Sequence, residues 1–187
     1  MENTAILSKP RLSVKVQTLA TIAAIAGAVI VPQIFHLLGY ASGLGTTLGE
    51  AFLPMHLPII LVGLLAGPYA GAIAGLLGPL TSYALTGMPG AAMLPFMMIE
   101  LLVYGLTAGL LRNMKMPTIG KVAIAQVTGR AVRAAAIVLS VHAFGNTAIG
   151  VPVIWNSIVT GLFGLALQWA LLPLIVYRVE NLKKHEV

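Results

Sequence analysis

Six long apolar stretches alternate with short segments rich in glycine, proline or charge along most of the chain. A helix needs about 20 apolar residues to cross the hydrocarbon core of a bilayer. The second stretch is shorter, with Pro54 and Pro58 near its start, where proline is tolerated in a first helical turn. The pattern predicts an all-α integral membrane protein, a single membrane domain over residues 1–187, with transmembrane helices at residues 16–38, 52–66, 68–85, 91–111, 121–144 and 153–177.

The composition favours the same class of protein. Of 187 residues, 58% are hydrophobic and 9% are charged, whereas a soluble domain carries about a quarter charged residues. So few charges cannot cover a soluble fold, so most of the surface must face lipid or other apolar helices. The chain has no cysteine, which excludes disulfides and thiolate metal sites.

The sequence lacks the motifs of common enzymes. It contains no aspartate and no glycine-rich phosphate loop ending in Lys-Ser or Lys-Thr, which nucleotide hydrolases need. It also has no Gly-x-Ser-x-Gly elbow and no His-Glu-x-x-His zinc motif. We therefore predict no catalytic residues and a non-enzymatic role, with the energy for any pumping supplied by another protein.

Basic residues cluster at three places along the chain. They precede the first predicted helix, separate the fourth from the fifth, and follow the sixth: Lys9, Arg11 and Lys15; Arg112, Lys115 and Lys121; Arg178, Lys183 and Lys184. Six spans place all three groups on one side, and the opposite loops contain no Lys or Arg. Because basic loops stay in the cytoplasm, the pattern predicts a multi-pass protein of the cell membrane with both termini inside. The net charge of +6 therefore reflects membrane orientation rather than nucleic-acid binding.

Small residues recur at four-residue steps on several predicted helices. One stripe on the first helix consists of Ala20, Ala24 and Ala28, and glycines follow the same spacing on the next three helices. Such stripes let helix backbones approach closely. Internal packing is one interpretation for each stripe, and the alanine stripe is also the best candidate for docking a partner protein.

Three charged residues fall inside predicted spans. Glu100 lies near the middle of the fourth helix, and Arg130 and Arg133 lie near the middle of the fifth. Ionisable groups inside a membrane usually face the bundle interior. One Arg can pair with Glu100, and the second then leaves a positive interior that suits a ligand carboxylate, since guanidinium groups bind carboxylates through two parallel hydrogen bonds. A structural ion pair and a ligand contact both remain open.

Other polar residues lie within the predicted spans, the three histidines near outer helix ends and the rest on the sixth helix. The candidates for a binding pocket are the histidines His36, His56 and His142, together with Trp155, Asn156 and Gln168. A wetted interfacial position is an equally simple interpretation for each histidine and for Trp155. We predict no metal site, because no helical His-x-x-x-His pair and no completing carboxylate accompany the histidines.

Four segments together resemble a known family. They are residues 52–58 (FLPMHLP), 59–71 (IILVGLLAGPYAG), 85–89 (LTGMP) and 98–105 (MIELLVYG), with Gly129-Arg130 on the fifth helix. They are similar to the S components of energy-coupling factor transporters, the substrate-binding membrane subunits of vitamin importers. The resemblance covers the chain from the first to the sixth predicted helix.

The resemblance implies a division of labour between subunits. An S component binds a micronutrient near the outer face, under a lid that here comprises Gly39, Gly43, Gly45 and Gly49. An Ala-x-x-x-Ala motif, matched by Ala20, Ala24 and Ala28, docks a transmembrane T component. Two cytoplasmic ATPases carry the ATP and magnesium, so no cofactor is expected on this chain.

The substrate implied by the resemblance is a water-soluble vitamin. The segments around residues 54–58 and 86–89 are most similar to the pantothenate and hydroxymethylpyrimidine branches, and the excess internal Arg favours the carboxylate of pantothenate. Hydroxymethylpyrimidine, pyridoxine, folate and cobalamin are the alternatives. A membrane scaffold or channel, or a membrane enzyme, is the alternative class. The predicted substrate-binding residues are Arg130, Arg133, Glu100, His56, His142, Trp155 and Asn156.

Overall fold

The computed structural model describes residues 12–185, which form seven α-helices joined by short turns. The helices are α1 (Val14–Ala41), α2 (Thr47–Phe52), α3 (His56–Ala66), α4 (Pro68–Thr86), α5 (Leu94–Leu111), α6 (Thr118–Phe144) and α7 (Pro152–His185). The basic residues Lys9 and Arg11 lie outside the described part.

Every predicted span corresponds to helix, although the number that qualifies as membrane-spanning differs. Within the described residues, five helical segments are long and apolar enough to cross a bilayer: Val14–Ala41, Thr47–Ala66, Leu94–Leu111, Thr118–Phe144 and Pro152–Leu182. Helix α4, the third predicted span, is outside this set, because its glycine, proline, serine and tyrosine residues lower its mean hydropathy. The predicted all-helical membrane fold is confirmed, and the count of six spans and the side on which the termini lie stay predictions.

The second predicted span is divided in two. Helix α2 ends at Phe52 and α3 begins at His56, with a break at Leu53, whose φ of 49° and ψ of 48° are left-handed. Pro54 explains the break, since a proline lacks the backbone N–H and disfavours the α-helical conformation in the residue before it. The prediction of one continuous helix over residues 52–66 was therefore wrong.

Helix α5 lies against α4 with backbones in direct contact. A Cβ atom added at Gly105 would overlap the backbone of Gly71, and one added at Gly75 would overlap the carbonyl of Leu101. On α3, a Cβ at Gly63 would lie 2.5 Å from the Gly105 carbonyl oxygen. The predicted glycine stripes thus serve packing between the helices of this chain.

The alanine stripe of α1 also faces inward. Ala28 is fully buried, Ala24 is nearly so, and Ala20 is half-buried against the same core. A Cβ added at Gly78 of α4 would lie 3.2 Å from the Ala28 Cβ. Ala28 therefore lies at the contact between α1 and α4, and Ala20 is the most accessible residue of the stripe. The docking role of the stripe stays a prediction.

Candidate functional site

A cavity of about 420 Å³ lies at the end of the bundle where α1 and α4 end and α7 begins. All seven helices contribute to its wall, together with the α2–α3 junction and the segment Met88-Pro89-Gly90 between α4 and α5. The predicted lid segment, residues 39–49, supplies Gly49 to the lining. We call this space the cavity below.

The wall of the cavity is mostly aliphatic and sulfur-containing. Its side chains include four methionines and three prolines: Met55, Met88, Met93, Met97, Pro32, Pro54 and Pro89. No Phe, Tyr or Trp is among the residues that line it. Methionine adapts its shape to irregular surfaces, so this wall suits a flexible aliphatic ligand better than a flat ring that requires stacking.

An ion pair closes the cavity on the α5–α6 side. Glu100 is fully buried, and its Oε2 accepts a hydrogen bond from Arg133 Nη1 at 3.0 Å. Its Oε1 accepts one from the Tyr104 hydroxyl at 3.1 Å. The Arg133 Nη2 contacts the sulfur of Met93 at 3.4 Å. A buried charge requires such a partner to offset its desolvation, so the pair has a structural role whatever ligand contacts it makes.

Several polar atoms of the cavity wall lack a hydrogen-bond partner among the described residues. They are Nδ1 of His36, both ring nitrogens of His56, Oγ of Ser82 and Nε of Arg133. The His56 Nε2 lies 3.9 Å from Glu100 Oε1, which is beyond hydrogen-bond distance. A buried polar group without a partner costs about 1–3 kcal/mol. Their concentration at one cavity indicates groups that a polar ligand would satisfy.

The structure brings together only part of the predicted site. Glu100, Arg133, His56 and Asn156 line the cavity, as does another of the candidate histidines, His36. These residues come from five helices, so their meeting depends on the fold.

Three predicted site residues lie elsewhere. The side chain of Arg130 extends from α6 toward α7, where its Nη1 donates to the Ser157 carbonyl at 3.2 Å. His142 is exposed, and Trp155 is 68% exposed. These three residues do not line the cavity, and their role in substrate binding stays a prediction. For Arg130 the reason is angular, since residues three apart on a helix differ by about 60° in direction.

Part of the predicted lid is helical, since Gly39 lies in α1 and Gly49 lies in α2. Gly39 is buried in the last turn of α1, where the carbonyl of Gly45 packs against its backbone. Gly43 and Gly45 have φ values of 75° and 57° and form the turn into α2. Of the four predicted lid glycines only Gly49 lines the cavity, in contact with His36. Helix α2 thus supplies Gly49 and Glu50 to the wall, whereas residues 42–46 of the preceding turn supply none.

Sequence reasoning missed Ser82 and the four methionines. Ser82 is the fully buried polar residue of α4 at the cavity. It lies between Thr81 and Tyr83, and a small hydroxyl residue in such a span had no distinguishing signal. The methionines were not singled out, because methionine is common in any apolar span.

The sequence as a whole matches a known family. The family model described as "ECF transporter, substrate-specific component" matches residues 14–176. The chain belongs to this family. Among curated proteins and among solved structures, no match to the chain is found. As an S component, the chain is a transport subunit that binds a small-molecule substrate and associates with a T component and ATPases.

Proposed function

We propose that this S component captures a water-soluble vitamin in the cavity, for import driven by partner ATPases, and that pantothenate is the favoured substrate. The observation that carries the proposal is the combination of an aliphatic, methionine-rich wall with unpartnered polar atoms on His56, Ser82 and Arg133. Pantothenate is an aliphatic chain that carries a carboxylate, an amide and two hydroxyl groups.

The polar atoms of the wall match the polar groups of such a molecule. The Arg133 Nε and a ring nitrogen of His56 are donors suited to a carboxylate. The hydroxyl of Ser82 can donate to an amide oxygen or accept from a ligand hydroxyl. Arg130 takes no part in this arrangement, so the carboxylate depends on Arg133, whose Nη1 already binds Glu100.

The absence of aromatic side chains in the lining weighs against the alternatives with large flat rings. Folate and cobalamin carry extended rings, which usually need stacking partners, and a cavity of about 420 Å³ is small for cobalamin. Hydroxymethylpyrimidine and pyridoxine are smaller and remain the runners-up. A membrane scaffold or channel would have no use for a cavity lined by unsatisfied polar atoms.

The proposal includes the arrangement in the membrane. We place six spans across the cell membrane with both termini in the cytoplasm, so that the cavity and α2 face outward. Support comes from the basic residues, since Arg112, Lys115 and Lys121 lie at the end of the bundle opposite the cavity, near the end of α5 and the start of α6.

The first test is mass spectrometry of small molecules released from the purified protein, followed by thermal-shift titration with a panel of vitamins. A ligand that binds only the folded state stabilises it by about 2.7 kcal/mol at 100 times its Kd, so we expect pantothenate to raise the unfolding temperature in a dose-dependent way. Pantothenol, which has an alcohol in place of the carboxylate, is the matched control and should bind more weakly.

Each result has a definite meaning. Stabilisation by pyridoxine or hydroxymethylpyrimidine, but not by pantothenate, would retain vitamin capture and refute the carboxylate argument. Equal stabilisation by pantothenate and pantothenol would remove the ligand role of Arg133. No stabilisation by any member of the panel would contradict vitamin capture.

A further inference from the structure

Three side chains on α6 and α7 form a chain of hydrogen bonds behind the cavity wall. The indole Nε1 of Trp169 donates to Gln126 Oε1 at 2.6 Å, and Gln126 Nε2 donates to Gln168 Oε1 at 2.9 Å. Gln168 Nε2 then donates to the carbonyl oxygen of Leu53 at 3.3 Å. Both glutamines are almost completely buried, and neither lines the cavity. We call Trp169, Gln126 and Gln168 the amide chain.

The amide chain ends at the break between α2 and α3. The Leu53 carbonyl that accepts from Gln168 also accepts the backbone N–H of His56, at 3.1 Å. Leu53 has a left-handed backbone, which is costly for a residue with a Cβ and persists only where surrounding contacts hold it. Leu53, Pro54, Met55 and His56 all line the cavity. Gln168 therefore holds the carbonyl on which the start of α3 depends.

Helix α7 also contacts this break through its glycines. A Cβ added at Gly164 would lie 2.6 Å from the carbonyl carbon of Phe52, and one added at Gly161 would lie 2.9 Å from Leu53 Cδ1. The ring of Phe52 on α2 packs against the ring of Phe163 on α7, with 4.8 Å between the ring centroids. Residues 52 and 53 thus pack against α7, and Gln168 of α7 donates a hydrogen bond to the Leu53 carbonyl.

We propose that Gln168 is a positioning residue for ligand binding, which acts through the Leu53 carbonyl to set the place of the His56 side chain in the cavity wall. The inference rests on the proposed function, since it assumes that the cavity binds the vitamin. It adds a residue outside the cavity, together with Gln126, to those that determine affinity. Without Gln168, the Leu53 carbonyl keeps only the His56 N–H, and the break gains freedom to shift.

The test compares Gln168→Met with a matched control. Methionine is similar in length to glutamine but cannot donate a hydrogen bond to Leu53. The control is Gln17→Met, because Gln17 Nε2 also donates to a backbone carbonyl, that of Leu12 at 2.8 Å, and does not line the cavity. The two readouts are the Kd for pantothenate and hydrogen exchange of the ligand-free protein in peptides covering residues 53–60.

We expect Gln168→Met to weaken pantothenate binding about tenfold, as the loss of one to two hydrogen bonds would do, and to speed exchange at residues 53–60. Gln17→Met should change neither. The double variant Gln126→Met/Gln168→Met should bind no more weakly than Gln168→Met, because the link to Leu53 is already lost.

Two results would overturn the inference, and a third would refute the proposed substrate instead. A lower unfolding temperature with unchanged exchange at residues 53–60 would show that Gln168 has only a general structural role. Faster exchange with an unchanged Kd would show that the position of the break does not determine affinity. If the wild-type chain binds no pantothenate, the proposed substrate fails, and exchange at residues 53–60 alone decides whether Gln168 positions the wall.

Discussion

Helix α5 takes part in two regions of the molecule that are built in opposite ways. On one face, Gly105 brings its backbone against Gly71 of α4, with no side chain between them. On another face, Met97 and Glu100 border the cavity, where side chains leave a space of about 420 Å³. The first region is filled by backbone atoms, and the second is left open by longer side chains.

The comparison separates stability from binding. Close backbone contact gains dispersion energy from many atom pairs and leaves no polar side chain unsatisfied. Among the described residues, the cavity instead keeps polar atoms of His56 and Ser82 without hydrogen-bond partners, which costs folding free energy. Functional sites commonly carry such a cost, because the same groups bind a ligand. Changes in the glycine contact should therefore affect folding, and changes in the cavity should affect binding.

The largest effect is expected from Gly105→Ala. The added Cβ would overlap the backbone of Gly71, which cannot move aside as a flexible side chain can. We expect destabilisation by more than about 3 kcal/mol, seen as a loss of monodisperse protein in size-exclusion chromatography. Gly120→Ala is the control, since its Cβ would meet the flexible Cε of Met116 at 3.2 Å and Pro117 Cγ at 4.0 Å, and no backbone atom. Equal yields of the two variants would contradict the tight α4–α5 contact.

The next effect concerns the buried ion pair. Glu100→Gln leaves the charge of Arg133 without a carboxylate, and removing one member of a buried pair costs about 3 kcal/mol. Glu100→Gln/Arg133→Met removes both charges and should recover much of that loss. Unfolding temperatures of the single and double variants measure the difference. A double variant less stable than Glu100→Gln would show that Arg133 stabilises the fold independently of Glu100.

A smaller effect, with opposite signs in two measurements, is expected for Ser82→Ala. The Ser82 hydroxyl is buried without a partner, so its removal should leave the ligand-free protein equally stable or stabilise it by up to about 1 kcal/mol. Vitamin affinity should fall about tenfold, because the ligand loses a hydrogen bond. Thr21→Val on α1, whose hydroxyl is already bonded to the Gln17 carbonyl, should leave affinity unchanged. A loss of stability without a loss of affinity in Ser82→Ala would contradict its ligand role.

The smallest effects are expected for His142 and Trp155, which were predicted to bind substrate and are exposed in the structure. His142→Ala and Trp155→Phe should change vitamin affinity by less than about twofold, since exposed substitutions usually stay within about 0.5 kcal/mol. Titration of each variant beside the wild type measures this. A tenfold loss in either variant would mean that the cavity extends farther along the bundle than the wall described above.

Much of the helical framework was predictable, because it depends on properties that are local in sequence. The predicted span 68–85 appears as Pro68–Thr86, and 91–111 appears as Leu94–Leu111. Apolar length and flanking Gly and Pro indicate where a helix runs, whatever it packs against. The break at Leu53 was not predicted, because Pro54 and Pro58 were both placed near the start of one helix. In the structure Pro54 follows the end of α2, and Pro58 lies in the first turn of α3.

The site was predictable only in part. Glu100 and Arg133 were identified because ionisable groups inside apolar spans are rare and face the interior. The sequence could not decide which of Arg130 and Arg133 pairs with Glu100, because two residues three apart on a helix point in directions only about 60° apart. Ser82 and Gln168 acquire their roles from residues far away in the chain, as in the bond from Gln168 to Leu53.

The sequence by itself determined that this chain is a helical membrane protein of the S-component family. The reason is that apolar length and local motifs depend only on residues that are close together in the chain. Only the tertiary structure decided which faces meet: that Ala28 lies beside Gly78 of α4, that α2 lines the cavity, and that Gln168 donates a hydrogen bond to the Leu53 carbonyl. The physical reason is that small or polar residues suit several environments equally well. Their role depends on the helix that packs against them, and that contact is not encoded locally.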